Sequence, residues 1–311
     1  TIKRMFIRAL MISSCGFTGG GGTSQGAGAI YLKDAKSNFE TKLKSRLKAG
    51  VEAVEPEAGD LALVSYDTGL GKMAAYVSPD PGSGGSWPMI IWLANGFDNS
   101  ISDIAWKRQP EENDQSASVY REKGILMMYP SLRGGNENPG YIESFYGEVL
   151  DVFSALEYAK SLDYVDETRI YLGGHGTGGT LALLASEYGE GFRAIFSLGP
   201  LSDVSGYGQE NLNFDINDKN EVAIRSPILF INTIEAPTFV FESILNGNNA
   251  SIEAMRSLNT NENLNLYSIA SKGHYSIIAP VNRLIAEKIL NDYKKGVNIF
   301  FTDDEVKKLS N

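Results

Sequence analysis

The chain has 311 residues, of which 42% are hydrophobic and 21% are charged, and its formal net charge is −10. These fractions exclude a disordered chain, and the length suits one large α/β domain with a substantial core. Because 38 acidic residues outnumber 28 basic ones, the long-range field repels phosphate backbones and argues against a nucleic-acid partner. A single cysteine, Cys15, and two histidines, His175 and His274, exclude an internal disulfide and a cysteine-based or multi-histidine metal centre, and no cofactor is indicated.

The first residues are typical of an export signal. Residues 1–15 combine a positively charged start with a short apolar stretch and end in Ile-Ser-Ser-Cys15, which resembles a bacterial lipoprotein box. Residues 16–30 are rich in glycine, so we predict a flexible tether. The protein is therefore expected to be exported and lipid-anchored at Cys15 in the cell envelope; the alternative is a disordered tail with an unmodified cysteine. The sequence contains no run of about eighteen apolar residues, so it predicts no membrane-spanning helix.

The rest of the chain predicts strands that alternate with helices. An N-terminal unit, residues 31–55, is expected to contain one helix over 31–48, and residues 56–300 are expected to form the main domain, followed by a tail over 301–311. In the first half of the main domain the sequence predicts, in chain order, strands at 61–65, 72–78, 89–93 and 124–129, a helix at 148–162 and a strand at 169–172. In the second half it predicts a helix at 180–187, strands at 194–198 and 227–234, a helix at 250–258, a strand at 265–269 and a helix at 280–293. The first two strands turn back on each other at Gly69-Leu-Gly71. Several of the others are apolar throughout, which indicates burial on both faces and hence a mostly parallel α/β sheet covered by helices.

A glycine-rich turn joins a predicted strand directly to a predicted helix. Its sequence, Gly174-His-Gly-Thr-Gly178, matches the spacing of the nucleophile elbow Gly-x-Ser-x-Gly, in which small flanking residues let the strand and helix approach closely. The nucleophile position falls on Gly176, so the serine is missing. A dinucleotide-binding turn is the alternative, although that turn usually stands near the start of its domain.

Three stretches around this turn resemble the prolyl oligopeptidase family. Residues 131–140, 145–152 and 163–172 are similar to that family's Arg-Gly-x-Gly loop, Glu-Val-x-Asp helix and Val-Asp-x-x-Arg-Ile segment, although the two loop glycines here are adjacent. The order and spacing hold over roughly residues 85–200. The resemblance implies an α/β-hydrolase fold, serine peptidase or esterase ancestry and a triad in the order Ser, acid, His.

The resemblance also suggests roles for the residues around the vacant position. It places the general base at His274, where a surface loop histidine is the alternative, and gives His175 a packing or hydrogen-bonding role. The acid would follow the strand predicted at 227–234, which makes Glu235 the first candidate and Glu242 the second, unless the acid is lost along with the serine. The oxyanion-hole donors would be the backbone N–H of Thr177 and that of Gly96 or Phe97.

Three functions follow as hypotheses. The first is a serine peptidase- or esterase-like protein that is inactive because glycine cannot form an acyl-enzyme. The second is a non-catalytic protein of the cell envelope that binds a peptide or acyl-ester ligand in the retained cleft. The third, a dinucleotide-binding oxidoreductase, has only the glycines in its favour. The sequence does not indicate an oligomeric state.

Overall fold

A computed structural model describes residues 30–56, 59, 61–82, 84–293 and 295–310. The predicted signal segment, Cys15 and the predicted tether up to residue 29 lie outside the described residues. Within the part of the chain that is described, no helix is long and apolar enough to cross a membrane.

One twisted α/β sheet organises the described chain. Its eight strands are β1 (Ala62–Thr68), β2 (Gly71–Val77), β3 (Trp87–Leu93), β4 (Leu126–Pro130), β5 (Val165–His175), β6 (Ile195–Leu198), β7 (Thr238–Leu245) and β8 (Leu264–Gly273). Their order in the sheet is β1-β2-β4-β3-β5-β6-β7-β8. The pairs β1–β2 and β2–β4 are antiparallel, and all pairs from β4 to β8 are parallel. The predicted mostly parallel sheet and its hairpin are thus confirmed.

Helices cover both faces of this sheet. They are α1 (Leu32–Ser37), α2 (Val119–Glu122), α3 (Glu148–Lys160), α4 (Thr177–Tyr188), α5 (Lys219–Ala223), α6 (Asn249–Leu258), α7 (Ile278–Asn291) and α8 (Asp303–Lys308). Strand β3 shows how the layers form, because Met89, Ile91 and Leu93 pack in one apolar core with α3 and α4. The alternate residues Ile90 and Trp92 pack in a second core with α2 and α7. A strand buried on both faces is apolar throughout, as the sequence predicted.

The helix predicted near the start of the chain is longer than the one the structure has, and a short helix lies near the end of the chain. The helix predicted over 31–48 is only Leu32–Ser37, and residues 38–56 are non-helical. Their backbone bonds with distant loops instead: Lys44 N–H donates to Asn213 O (2.8 Å), and Ala49 N–H donates to Gly134 O (2.8 Å). The predicted tail 301–311 contains α8, which begins with a capping box.

The strand predicted at 227–234 is also wrong. Residues Pro227–Leu229 and Ile231–Thr233 form short 3₁₀ turns, and the strand of this region is β7, Thr238–Leu245. The proline at the start of the first turn cannot donate to a sheet ladder, which favours the turn over a central strand. This shift moves the carboxyl end of the strand by eleven residues relative to the prediction.

Arg133 fixes the loop after β4 against α3. Its Nε and Nη2 donate to the two oxygens of Asp151 (2.9 and 2.8 Å), and its Nη1 donates to Glu143 (2.8 Å). A Cβ at Gly147 would lie 1.8 Å from Arg133 Nη1, so glycine is required for this approach. Arg133 and Asp151, which belong to two of the three stretches that carried the family resemblance, therefore form one ion-pair network that holds the loop against α3.

Candidate active site

The glycine-rich turn forms an elbow between β5 and α4. Gly176 has φ 58° and ψ −117°, a backbone conformation that favours glycine, and Thr177 begins the helix. Both ends of Gly176 are anchored, since its N–H donates to Leu198 O (2.9 Å) and its carbonyl accepts from Thr180 N–H (2.9 Å). The elbow geometry is thus present at the predicted nucleophile position, with no side chain on it.

The flanking glycines allow the backbone of α4 to approach two strands, β5 at Gly174 and the end of β3 at Gly178. A Cβ at Gly174 would lie 2.5 Å from the carbonyl carbon of Gly178, and a Cβ at Gly178 would lie 2.2 Å from Leu93 O. Neither spacing is possible for real side chains, because the atoms they would meet belong to the backbone. These close contacts explain why both positions require glycine.

His274 follows β8 directly and reaches the same edge of the sheet as the elbow. Its Nδ1 lies 2.9 Å from Glu242 Oε2, and its side chain is 16% exposed. The other ring nitrogen, Nε2, has no hydrogen bond to any residue the structure describes. An imidazole that is oriented through Nδ1 while Nε2 stays free can act as a general base or acid.

Glu242, and not Glu235, lies against His274. The Glu242 carboxylate is fully buried, and it also accepts the backbone N–H groups of Ser243 (2.5 Å) and Asn248 (2.8 Å). Glu235 precedes β7 at the opposite end of that strand, on the surface, where Glu190 raises its pKa. The expected position of the acid is therefore corrected: because β7 lies eleven residues later than predicted, the carboxylate beside the histidine is the second candidate.

His175 is a buried neutral histidine beneath His274. Its Nδ1 accepts from Gln115 Nε2 (3.2 Å), so its Nε2–H donates to His274 O (3.0 Å). The two imidazole rings pack with their centroids 4.4 Å apart. Burial, followed by repulsion from His274, lowers the pKa of His175 to about 3. The side chain both packs and hydrogen-bonds, and it holds the backbone of the residue expected to be the base.

The three residues expected to line the oxyanion hole lie together beside the elbow. Thr177 N–H donates to Asn95 Oδ1 (3.2 Å), and Gly96 N–H donates to Thr177 Oγ1 (2.8 Å). The N–H of Phe97 has no hydrogen bond to any residue the structure describes. Asn95 contacts the elbow although sequence reasoning did not single it out; only its place in the loop after β3 pointed to this region.

An open groove of about 660 Å³ runs past this site. Its wall combines apolar and polar groups, including Trp92, Phe97, Gln115 and Tyr275, and it reaches Asn95 at the elbow. A volume of this size suits a short peptide or an acyl ligand.

Among the described residues, no group of three or more His, Cys, Asp or Glu side chains is placed to hold a metal ion.

Comparisons with known proteins agree with this fold. A model of the prolyl oligopeptidase family matches residues 112–240. No curated protein matches the chain by sequence. Among solved structures, the chain is similar to the acylaminoacyl peptidase of Pyrococcus horikoshii, with a TM-score of 0.60 and 16% identity over 79% of this chain and 44% of that one.

Two further structures show the same likeness. A Mycobacterium tuberculosis puromycin-hydrolyzing peptidase has a TM-score of 0.59 and 17% identity over 77% of this chain and 40% of its own. The 2,6-dihydroxy-pseudo-oxynicotine hydrolase has a TM-score of 0.57 and 15% identity over 78% and 70%. The chain spans less than half the length of the two peptidases. The resemblance predicted from the sequence is confirmed: the chain has the α/β-hydrolase fold and is similar to the prolyl oligopeptidase family over residues 112–240.

Proposed function

We propose that the chain is a serine hydrolase-like protein that lacks acyl-transfer activity and binds a peptide or acyl ligand non-covalently in its groove. The observation that carries the proposal is the elbow at Gly176, which has the backbone of a nucleophile position and no hydroxyl. An acyl-enzyme requires a bond from a side-chain oxygen to the substrate carbonyl carbon, and glycine offers no such oxygen. In a well-studied triad, removing the serine costs about 10⁶ in turnover, or about 8 kcal/mol.

The groups around the vacant position support a site built for a carbonyl-bearing ligand. His274, held by Glu242, can donate or accept a hydrogen bond through Nε2, and Phe97, which lines the groove, offers a backbone N–H. Two of the similar structures are named as an acylaminoacyl peptidase and a puromycin-hydrolyzing peptidase, which favours a peptide or acyl ligand here. Export and lipid anchoring at Cys15 remain part of the proposal, because residues 12–15 resemble a lipoprotein box.

The proposal is tested by restoring the hydroxyl. The wild-type chain, Gly176→Ser and the matched control Gly176→Ala are assayed with a chromogenic acyl ester and a fluorophosphonate probe. In labelling, an Oγ–P bond forms as the P–F bond breaks, and His274 takes the hydroxyl proton. We expect labelling and turnover only in Gly176→Ser, because the alanine variant adds the same Cβ without a nucleophile.

Two outcomes contradict the proposal. Turnover by the wild-type chain would show a nucleophile other than residue 176. A folded Gly176→Ser variant that stays inert even when Asn95, which contacts the elbow, is replaced by alanine would show that the loss of the serine does not by itself account for inactivity. Ligand binding is measured separately, by titrating the wild-type chain with a library of N-acylated dipeptides and following intrinsic tryptophan fluorescence, since Trp92 lines the groove. The lipid anchor is tested by labelling cells with a fatty-acid analogue and comparing Cys15→Ala.

A further inference from the structure

The side chain of Asn95 covers the vacant nucleophile position. A Cβ built on Gly176 would lie 2.5 Å from Asn95 Oδ1, 3.1 Å from its Cγ and 3.5 Å from its Nδ2. These three atoms are the nearest neighbours of that Cβ, so one carboxamide fills the space in which a catalytic side chain would stand. Gly176 and Thr177 are buried beneath it, whereas Asn95 itself is exposed.

The same carboxamide also takes one of the hydrogen-bond donors expected to form the oxyanion hole, the backbone N–H of Thr177. Asn95 Oδ1 accepts the backbone N–H of Thr177 (3.2 Å) and lies 3.1 Å from Thr177 Oγ1. Gly96 N–H, the second expected donor, is taken by Thr177 Oγ1 (2.8 Å). A carboxamide oxygen is chemically the same acceptor as the carbonyl oxygen of a peptide bond, so Asn95 Oδ1 satisfies Thr177 N–H as a ligand carbonyl would.

We propose that Asn95 is a built-in occupant of the acyl site, which a ligand must displace in order to reach Thr177 N–H. This inference rests on the proposed function, because it takes the groove and the elbow as the ligand site. The displacement needs no change in the core, since Asn95 stands on an exposed loop and can rotate into the groove. The need to displace Asn95 selects ligands whose own carbonyl or carboxylate oxygen replaces Asn95 Oδ1 as the acceptor of Thr177 N–H. Ligands that lack such an acceptor are disfavoured, because the buried N–H of Thr177 would then stay unpaired.

The first experiment measures the contact without relying on activity. Hydrogen exchange of the Thr177 amide is followed by NMR in the wild-type chain, in Asn95→Ala and in Asn95→Asp, which keeps an oxygen acceptor of the same shape. We expect exchange at least tenfold faster in the alanine variant and nearly unchanged in the aspartate variant. Equal exchange rates in all three proteins would overturn the inference. Thermal unfolding confirms that each variant is folded.

The second experiment measures the effect on access to the site. Fluorophosphonate labelling rates are compared for Gly176→Ser and for Gly176→Ser combined with Asn95→Ala. We expect the double variant to label at least tenfold faster, because the carboxamide no longer competes for the space and for Thr177 N–H. Equal labelling of the single and double variants overturns the role of Asn95 and leaves the proposed function intact. If neither variant labels while the exchange contrast holds, the contact of Asn95 stands and the proposed function, which attributes inactivity to Gly176, fails.

Discussion

Protonating His175 is expected to destabilise the folded chain in mild acid. Its ring is fully buried, Nδ1 accepts from Gln115, and Nε2–H donates to His274 O, so both nitrogens are used by the neutral form. Adding a proton to Nδ1 would turn the acceptor into a donor that faces another donor. Burial, followed by repulsion from His274, lowers the pKa of His175 to about 3, whereas a histidine in an unfolded chain has a pKa of about 6.5.

The sign and size of the effect follow from this difference. Between about pH 6.5 and pH 3 the unfolded chain binds a proton at His175 that the folded chain does not, so the free energy of unfolding falls as the pH falls. The full contribution of His175 is present above pH 6.5. At pH 5 the expected loss is about 2 kcal/mol, and it grows by about 1.4 kcal/mol for each further pH unit until the pH approaches the folded pKa.

The assay compares wild-type protein with His175→Gln, which can hydrogen-bond but does not titrate in this range. The free energy of unfolding is measured in urea at pH 7.5 and pH 5.0 for both proteins, and carboxylate effects cancel in the difference between them. We expect the wild type to lose about 2 kcal/mol more than the variant. A difference below about 0.5 kcal/mol would refute the reasoning, as would movement of the His175 ring resonance between pH 7 and pH 5 in NMR spectra. With only two histidines in the chain, that resonance is straightforward to assign.

Two further substitutions test the buried groups that shape the site. Glu242→Gln places an amide donor against buried N–H donors, so we expect a lower urea midpoint and a free energy of unfolding reduced by about 1–3 kcal/mol. The exposed control Glu235→Gln is expected to change stability little, and equal effects of the two substitutions would contradict the assignment of Glu242 as the carboxylate beside His274. Gly135→Ala places a Cβ 2.1 Å from Asn99 O and is expected to lower the free energy of unfolding by about 1–3 kcal/mol or more. In the control Gly69→Ala the new Cβ meets nothing within 4 Å, so little change is expected. A Gly135→Ala variant as stable as the wild type would mean that this loop moves freely.

The sequence predicted the elbow because its pattern depends on contacts within a few residues. Gly174 is required by backbone atoms of Gly178 across the turn, Gly178 is required by the backbone at Leu93, and an apolar strand before the turn and a helix after it supply the context. The parallel order of the strands then brings the carboxyl ends of β3, β5 and β8 to one edge. These features place Gly96, Gly176 and His274 near each other without any knowledge of side-chain packing.

The acid was misplaced because local pattern and tertiary structure disagree in one segment. Residues 227–234 are as apolar as a buried strand, yet Pro227 begins a 3₁₀ turn. The true strand β7 carries the charged Glu242, which interrupts its apolar pattern and hides it from a hydrophobicity analysis. The charge is tolerated there because two backbone N–H groups and His274 pair with the carboxylate, and that pairing is formed only in the folded chain.

The N-terminal segment shows the opposite conflict. Its Lys, Leu, Ala and Glu residues favour helix, and intrinsic propensity is worth only a few tenths of a kcal/mol per residue. Three long-range backbone hydrogen bonds of the segment, at Lys44, Ala49 and Gly50, satisfy its N–H groups in an extended form, and Leu47 O accepts from Ile142 N–H. Partners more than eighty residues away in the sequence decide this conformation, so no local pattern could predict it.

The elbow alone does not argue for catalysis, because its two properties have separate causes. Gly174 allows the close approach of β5 and α4, and Gly178 allows that of α4 and the end of β3, so both contacts are independent of the residue that stands at position 176. A positive φ at position 176 costs a serine about 1–3 kcal/mol, and glycine removes that strain. The presence of glycine is therefore favourable for folding, and the absence of the hydroxyl is unfavourable only for chemistry. The feature that the turn does not explain is the pairing of His274 with the buried Glu242 carboxylate, since burying a carboxylate is costly even when it is paired. That pair, more than the turn, is the reason to expect that the site still binds a ligand.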